Sequence, residues 1–146
     1  MPLNLFKIYP IPDEIPTEMQ KTINEIKMSP SKEGCLKSVY EILTTKYHGS
    51  RVDTYLKFLN IFTHDIKTLW NTNGFMHCTN INYIMKILLI KSGLFEDNDI
   101  RLRWTMVWYV SPHQYIQVKV NSAWINIDIW ASSYGIKFGD YAHGFH

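Results

Sequence analysis

Apolar residues recur at helical spacing through the first half of the chain, and three such stripes predict three helices. The apolar positions are Met19, Ile23 and Ile26 in the first, Leu36, Val39, Tyr40 and Leu43 in the second, and Val52, Tyr55, Leu56, Leu59 and Phe62 in the third. Capping residues indicate the starts: Thr17 with Gln20, Ser29 before Pro30, and Ser50 with Asp53. Four of the six prolines precede the first stripe, which predicts an extended N-terminal arm over residues 1–16.

A fourth helix is predicted from Cys78 to a stop at Gly93. Only Asn80, Asn82 and Lys86 interrupt its apolar surface, so we expect it to be buried on most sides. Cys78 lies in its first turn, where unpaired backbone N–H groups and the helix dipole favour a thiolate. The sequence therefore predicts a rigidly held and activated cysteine.

From Arg101 onward the apolar period changes from helical spacing to two. This alternation predicts a strand over 101–110 whose Trp104, Met106 and Trp108 lie in the sheet core. Two more strands are predicted, 113–120 and 123–129, followed by a loop-rich tail over 129–146. The resulting architecture is a single α+β domain over 1–146, with N-terminal helices and a buried central helix packed on an antiparallel sheet.

The turn between the last two strands fixes which side chains share a face. If Asn121 and Ser122 form a two-residue turn, His113 and Asp128 become diagonal neighbours on one face, with Cα atoms about 7 Å apart. A bulged three-residue loop would instead put Asp128 on the opposite face. A histidine and a carboxylate at this separation can hydrogen-bond and fix the imidazole tautomer.

Cys78, His113 and Asp128 together supply a thiol, a base and an orienting carboxylate, which predicts a catalytic triad. A free thiol with a pKa of about 8.5 is mostly protonated at neutral pH, so the nucleophile needs such activation. The backbone N–H of Cys78 is the first candidate for an oxyanion hole, with the Trp70 indole or the Asn73 amide as the second. A zinc ion held by the three triad residues remains an alternative.

Composition narrows the possible partners. The 146 residues carry 15 Lys and Arg against 13 Asp and Glu, and the scattered basic positions argue against a nucleic-acid partner. The N-terminus lacks the pattern of a secretory signal, and Lys86 interrupts the most apolar segment, so we expect a cytoplasmic protein without a membrane partner. Cys35 lies on a helix and is interpreted as a small buried hydrophobe rather than half of a disulfide.

Two stretches, GFMHCTNINYIMKILLIKSGLF and PHQYIQVKVNSAWINID, resemble the core of transglutaminase-like cysteine enzymes, a superfamily with a papain-like fold. Cys78, His113 and Asp128 take the positions of that family's triad, and Trp124 matches the tryptophan shortly before the aspartate. The tail YGIKFGDYAHGF is similar to a loop of small bacterial and archaeal members. The resemblance spans residues 70–143 and implies acyl transfer or amide hydrolysis on a peptide or protein through a thioester.

Tyr115 and Trp130 are candidates to line a substrate cleft, and core packing is the alternative for both. No cofactor is expected, because acyl transfer by a thiol needs none. Two other functions stay open. One is a catalytically inactive binding or scaffolding module of the same fold, and the other is an acyltransferase like the arylamine acetyltransferases. The sequence does not decide between hydrolysis and transamidation, and the oligomeric state is not predicted.

Overall fold

The structure is a computed structural model that describes residues 10–62, 65–108 and 111–144. The helices and strands, in chain order, are α1 (Thr17–Ile26), α2 (Lys32–Lys46), β1 (Tyr47–His48), α3 (Arg51–Leu56), α4 (Ile66–Asn71), β2 (Gly74–Phe75), α5 (Cys78–Lys91), β3 (Ile100–Val107), β4 (Ser111–Val120) and β5 (Ala123–Ile127). Short 3₁₀ turns follow α3, precede β3 and follow β5. The α+β class is confirmed. Of the predicted N-terminal arm and tail, residues 1–9 and 145–146 lie outside the described residues.

Helix α5 lies at the centre of the fold and begins at Cys78, as predicted. Its apolar side chains are buried against α2, α4 and β4. Its polar residues Asn80, Asn82 and Lys86 are buried as well, and each of these three side chains has a partner. The Asn82 amide donates to the carbonyl of Gln114 at 3.1 Å, and the Lys86 ammonium lies 2.9 Å from an Asp97 carboxylate oxygen. Such pairing keeps buried polar groups from destabilising the core.

The first two helices bury the predicted apolar stripes, but their predicted starts are wrong. Pro16 occupies the N-cap of α1, so no side chain caps that helix and the Thr17 capping box is not formed. Helix α2 begins at Lys32 rather than near Pro30, because the Ser31 hydroxyl accepts a hydrogen bond from the backbone N–H of Gly34 at 3.0 Å. Cys35 is fully buried on α2, which confirms its interpretation as a core residue.

The third apolar stripe is not buried, contrary to the prediction. Ser50 caps α3 as expected, but the helix ends after six residues at Leu56 and continues as a 3₁₀ turn. This change of winding ends the helical period before Leu59 and Phe62. The segment is held instead through its backbone, since the Lys57 and Asn60 carbonyls pair with the side chains of His77 and Asn80. Four apolar side chains of the 51–62 segment are 66–77% exposed: Val52, Tyr55, Leu56 and Leu59. The side chain of Phe62 lies outside the described residues.

The antiparallel sheet has the strand order β3–β4–β5. Asn121 and Ser122 have positive φ angles of 51° and 69° and form the predicted two-residue turn. Val120 pairs with Ala123 and Gln117 pairs with Asn126, so the predicted register of the hairpin is confirmed. The strand ends at Ile127, two residues earlier than predicted, and Asp128 follows it directly. This register is what positions Asp128 opposite the start of β4.

The aromatic stripe of β3 does not lie in the sheet core, contrary to the prediction. The strand ends at Val107, and Trp108 turns away with a φ of 57°. Met106 and Trp108 are 44% and 48% exposed, and Trp104 is partly exposed. The predicted end of this strand, Tyr109 and Val110, lies outside the described residues. No helix within the described ranges has the length and apolarity that crossing a bilayer requires.

Candidate functional site

A cleft of about 490 Å³ opens beside the N-terminus of α5. It is bounded by the first turn of α5, the end of β3, the start of β4 and the 51–62 segment. Its lining residues are Arg51, Thr54, Tyr55, Ile61, His77, Cys78, Thr79, Trp104, Val107, Trp108, Ser111, Pro112, His113 and Trp130. Most of these side chains are apolar or aromatic, which is typical of sites that bind small organic groups.

Cys78 is the first residue of α5 and is partly exposed to the cleft. The preceding residue, His77, occupies the N-cap without a side-chain capping hydrogen bond. Among the described residues, none accepts a hydrogen bond from the backbone N–H of Cys78. The helix thus begins with an available donor directly at the thiol, as helix N-termini do when no cap is supplied. The predicted placement of Cys78 at the start of this helix is confirmed.

His113 and Asp128 form a short, buried pair. The distance from His113 Nε2 to Asp128 Oδ2 is 2.7 Å, and the residues are 4% and 2% exposed. Cys78 raises the pKa of the imidazole, and both side chains line the cleft. Because Nε2 is engaged by the carboxylate, Nδ1 is the ring nitrogen that remains for an interaction with the thiol. The structure therefore brings the three residues predicted for the triad together, with a hydrogen bond between His113 and Asp128 and with Cys78 beside the same imidazole.

Asp128 is held in place by the backbone on both of its oxygens. Oδ1 accepts a hydrogen bond from the N–H of Ala131 at 3.1 Å, and Oδ2 accepts one from the N–H of Ala142 at 2.9 Å in addition to the imidazole. The first donor comes from the 3₁₀ turn after β5 and the second from the tail. These backbone hydrogen bonds satisfy the acceptors of the buried carboxyl group and fix its orientation beside His113.

The surroundings of His113 favour the imidazolium. Burial lowers the pKa of His113, but the hydrogen bond to Asp128 and the hydrogen bond and charge of Cys78 outweigh this and raise the pKa to about 10. At neutral pH the ring is therefore protonated between a carboxylate and a sulfur. A protonated imidazole beside a cysteine is an arrangement that suits nucleophilic catalysis by a thiol.

Trp130 covers the histidine and lines the cleft, as predicted for a substrate-cleft residue. The centroid of its indole lies 5.0 Å from that of the His113 ring, with the planes tilted by 51°. The backbone N–H of Gly49 donates to the carbonyl of Trp130 at 3.0 Å. This approach is possible because residue 49 has no Cβ: an added one would lie 2.6 Å from Trp130 Cε2. Strand β1 and the turn after β5 thereby fix the position of the indole.

His77 forms a hydrogen bond with the backbone of the 51–62 segment, which is the cleft wall opposite the sheet. The sequence did not predict this role. Its Nε2 lies 2.8 Å from the carbonyl oxygen of Lys57, and Asn80 donates to the carbonyl of Asn60 at 3.1 Å. Burial lowers the pKa of His77, and its hydrogen bond to the Lys57 carbonyl opposes that shift. The ring is therefore neutral at pH 7 and donates its proton to the backbone of the 51–62 segment.

Three of the predicted site residues do not reach the cleft. The Asn73 side-chain oxygen accepts a hydrogen bond from the Lys46 ammonium at 2.9 Å, and the same ammonium lies 4.9 Å from the centroid of the Trp70 ring. Neither Trp70 nor Asn73 lines the cleft, because both interact with the end of α2 instead. Tyr115 is buried and stacks on Tyr141 at 4.1 Å, which makes it a packing residue.

Two polar residues of the cleft were missed at the sequence level. Thr79 Oγ1 and Arg51 Nε are the buried side-chain atoms that lack a hydrogen-bond partner in the described part of the chain. Thr79 directly follows the nucleophile, and its place in the first turn of α5 was a usable signal. Arg51 is 27 positions away in the sequence from Cys78, and nothing in its local pattern indicates the cleft.

Within residues 10–62, 65–108 and 111–144, no group of three His, Cys, Asp or Glu side chains is arranged to hold a metal ion. The zinc alternative for the triad residues therefore gains no support from the geometry. Comparison of the chain with models of protein families, with curated proteins and with solved structures finds no match. The functional conclusion accordingly depends on the chemistry of the cleft itself.

Proposed function

We propose that this protein is a cysteine-dependent acyl-transfer enzyme that acts on an amide or ester through a thioester on Cys78. The observation that carries the proposal is the hydrogen bond between Asp128 and His113, with Cys78 beside the imidazole at the wall of an apolar cleft. A helix that opens with the nucleophile, packed on an antiparallel sheet that carries the base, is also what the resemblance to transglutaminase-like enzymes implies.

In the acylation step the Cys78 thiolate attacks the carbonyl carbon of the substrate and a carbon–sulfur bond forms. The carbonyl electron pair moves to oxygen and gives a tetrahedral oxyanion. When this intermediate collapses, the bond to the leaving nitrogen breaks and the His113 imidazolium donates its proton to the departing amine. The products are a thioester on Cys78, a free amine and a neutral imidazole that Asp128 keeps in position.

In the second step a water molecule or an amine attacks the thioester. His113 accepts the proton of this nucleophile, the carbon–sulfur bond breaks, and the thiolate–imidazolium pair is restored. Water gives hydrolysis, and an amine gives transamidation. Both outcomes use the same side chains, so the choice depends on which nucleophile enters the cleft.

The oxyanion needs two donors, and we assign them to the first turn of α5. The backbone N–H of Cys78 has no acceptor among the described residues, and the buried Thr79 hydroxyl is likewise without a partner. A donor held without an acceptor in the ground state stabilises a charge that appears only during the reaction. Thr79 thereby takes the role that the sequence assigned to Trp70 or Asn73.

Selective alkylation tests the proposed nucleophile. We expect iodoacetamide to label Cys78 at about pH 6 to 7, where an ordinary thiol reacts slowly. Cys35 should stay unlabelled in the folded protein, because it is fully buried and burial raises the pKa of its thiol against a weaker opposing hydrogen bond from Ser92. Mass spectrometry of the digested protein distinguishes the two sites.

The matched variants for this test are His113→Ala and His48→Ala, since His48 is exposed and does not line the cleft. Loss of His113 should slow labelling at neutral pH by about tenfold or more, whereas loss of His48 should not. The complementary assay is the burst of nitrophenolate from 4-nitrophenyl acetate, with one acetyl group appearing on Cys78. An intact fold with slow, equal labelling of both cysteines would instead favour a catalytically inactive binding module.

The Thr79 assignment predicts a specific kinetic defect. Thr79→Val keeps the shape of the side chain and removes the hydroxyl, so we expect the acylation rate to fall by roughly 10²- to 10³-fold. Thr79→Ser retains the donor and should stay within about tenfold of the parent rate. Iodoacetamide labelling forms no oxyanion, so its rate should not change in either variant. Equal acylation rates for the Val and Ser variants would remove Thr79 from the oxyanion hole.

A further inference from the structure

Arg51 is a cationic residue of the cleft that the acyl-transfer steps do not use. Its guanidinium lies 4.3 Å from the centroid of the Tyr134 ring and 5.2 Å from that of Trp108. Its backbone N–H donates to the Tyr134 hydroxyl at 2.9 Å, which ties the start of α3 to the turn after β5. The side chain is therefore held against two aromatic rings at the cleft wall, a placement that arginine favours over lysine.

Apart from the two aromatic rings, no carboxylate among the described residues pairs with the Arg51 guanidinium, and one of its donors has no acceptor. Its Nε is buried without a hydrogen-bond acceptor, and none of the ion pairs among the described residues includes Arg51. Guanidinium is permanently charged and has five N–H donors in a planar fork. A buried, unpaired donor of this strength is costly, and such groups are kept mainly where they serve a function.

The rest of the cleft defines what kind of molecule would approach Arg51. Its walls include Ile61, Trp104, Val107 and Pro112, and the lining contains no Asp, Glu or Lys among the described residues. Apolar walls select an apolar body, and the lone guanidinium selects one negative charge. Cys78 lines the same cleft, so a molecule that satisfies both features lies beside the nucleophile.

We infer that the cleft binds an acyl compound with an apolar body and a single carboxylate, which accepts hydrogen bonds from the Arg51 guanidinium. The inference deepens the proposed function and rests on it for the reacting acyl group. A carboxylate fits better than a phosphate because it carries a single negative charge, and no lysine lies in the described lining to balance a second one. Arg51 is thus a specificity-determining residue.

Binding measured without any reaction tests the anion site. In a Cys78→Ala protein, titration calorimetry compares 3-phenylpropanoate with its neutral amide, 3-phenylpropanamide. We expect the carboxylate to bind about tenfold or more tightly than the amide, and this preference to disappear when Arg51→Gln is added. Arg101→Gln is the matched control, because Arg101 is exposed and lies outside the cleft. It should keep the preference.

Equal affinities for acid and amide in the Cys78→Ala protein would overturn the inference, and tighter binding of phenyl phosphate than of the acid would overturn the choice of a carboxylate. If circular dichroism shows that Arg51→Gln does not fold, Arg51→Lys takes its place. Lysine keeps the charge and loses the fork, so we expect a reduced preference. An undiminished preference in Arg51→Lys would contradict binding through the fork.

The reacting group is tested separately in the protein with Cys78 intact. The 4-nitrophenyl esters of 3-phenylpropanoic acid and of its 4-carboxyphenyl analogue differ only in the anionic group. We expect the anionic ester to acylate Cys78 about tenfold faster, and the ratio of the two rates to approach one in Arg51→Gln. Preferential binding of the acid with no acylation by either ester would contradict the proposed function and leave Arg51 as an anion-binding residue.

Discussion

Asp128→Asn is expected to slow acylation of Cys78 by 4-nitrophenyl acetate by roughly 10³- to 10⁴-fold. The carboxylate holds the His113 ring through the 2.7 Å contact with Nε2 and stabilises its protonated form. Without that charge the imidazole is neither oriented nor kept as imidazolium, so the thiolate loses its partner. Burst kinetics of nitrophenolate release, normalised to the folded fraction, measure the effect.

Asparagine cannot replace Asp128 here, although it is nearly the same size. Both carboxylate oxygens accept backbone hydrogen bonds, Oδ1 from Ala131 and Oδ2 from Ala142. An amide has only one oxygen, so its NH₂ group must face one of these N–H donors. Two donors facing each other in a buried site are unfavourable, and we expect the free energy of unfolding to fall as well.

The same variant should change the pH dependence of acylation. In the parent protein the imidazolium persists up to its pKa of about 10, and the rate falls above that pH as the proton is lost. Removing the carboxylate removes the largest interaction that raises the pKa of His113, so the alkaline limb should move to lower pH in Asp128→Asn. A pH–rate profile of the two proteins shows the shift.

The free energy of unfolding should also depend on the protonation of His113. The pKa of His113 in the folded chain exceeds its ordinary value, so the folded chain binds this proton more tightly than the unfolded chain does. The resulting stabilisation is complete below the unfolded pKa of about 6.5 and is lost as pH rises through about 10. Denaturant unfolding of the parent protein at a series of pH values should therefore show a decline over this window, and the decline should be smaller in Asp128→Asn.

Asp140→Asn is the matched control, because Asp140 is exposed and its side chain accepts a hydrogen bond only from the adjacent N–H of Tyr141 among the described residues. This variant removes the same charge close to the site and should keep both the parent rate and its alkaline limb. A rate for Asp128→Asn within tenfold of the parent, with an unchanged pH profile, would remove Asp128 from the mechanism.

Local chemistry made the arrangement of His113 and Asp128 predictable. Asn121 and Ser122 tolerate the positive φ angles of a two-residue turn, and the period of two along each strand then determines which side chains share a face. The position of Cys78 followed in the same way from the start of one strongly apolar helix. Each of these steps needs only residues of one hairpin or one helix, and His113 and Asp128 are 15 positions apart.

Features that depend on contacts distant in sequence were not predictable. The exposed stripe of the 51–62 segment looks like a core helix in isolation, and its true position depends on the bonds from His77 and Asn80 to its backbone. Trp70 and Asn73 are near Cys78 in sequence, but Lys46 on α2 engages both of them elsewhere. These contacts with a distant helix, which the local sequence does not indicate, keep both residues out of the cleft.

Gly49→Ala is the second large effect that we expect, and it acts on stability. An added Cβ would lie 2.6 Å from Trp130 Cε2 and closer still to its Cδ2 and carbonyl oxygen. The backbone cannot yield freely, because the Gly49 N–H bonds the Trp130 carbonyl and the Gly49 carbonyl accepts from the Ser133 hydroxyl at 3.2 Å. We expect the free energy of unfolding to fall by about 3 kcal/mol, measured by denaturant titration.

The Cβ added in Gly49→Ala would overlap the backbone of Trp130 as well as its side chain. A smaller side chain at position 130 should therefore not restore stability. Trp130→Phe removes part of the indole but leaves the carbonyl in place, so the double variant should remain destabilised. Gly34→Ala is the control: residue 34 is helical, an added Cβ would lie 3.2 Å from the side-chain hydroxyl of Ser31 rather than from backbone, and the change should stay within about 1 kcal/mol. A Gly49→Ala protein as stable as the Gly34→Ala protein would contradict a close approach between β1 and the turn that holds Trp130 against His113.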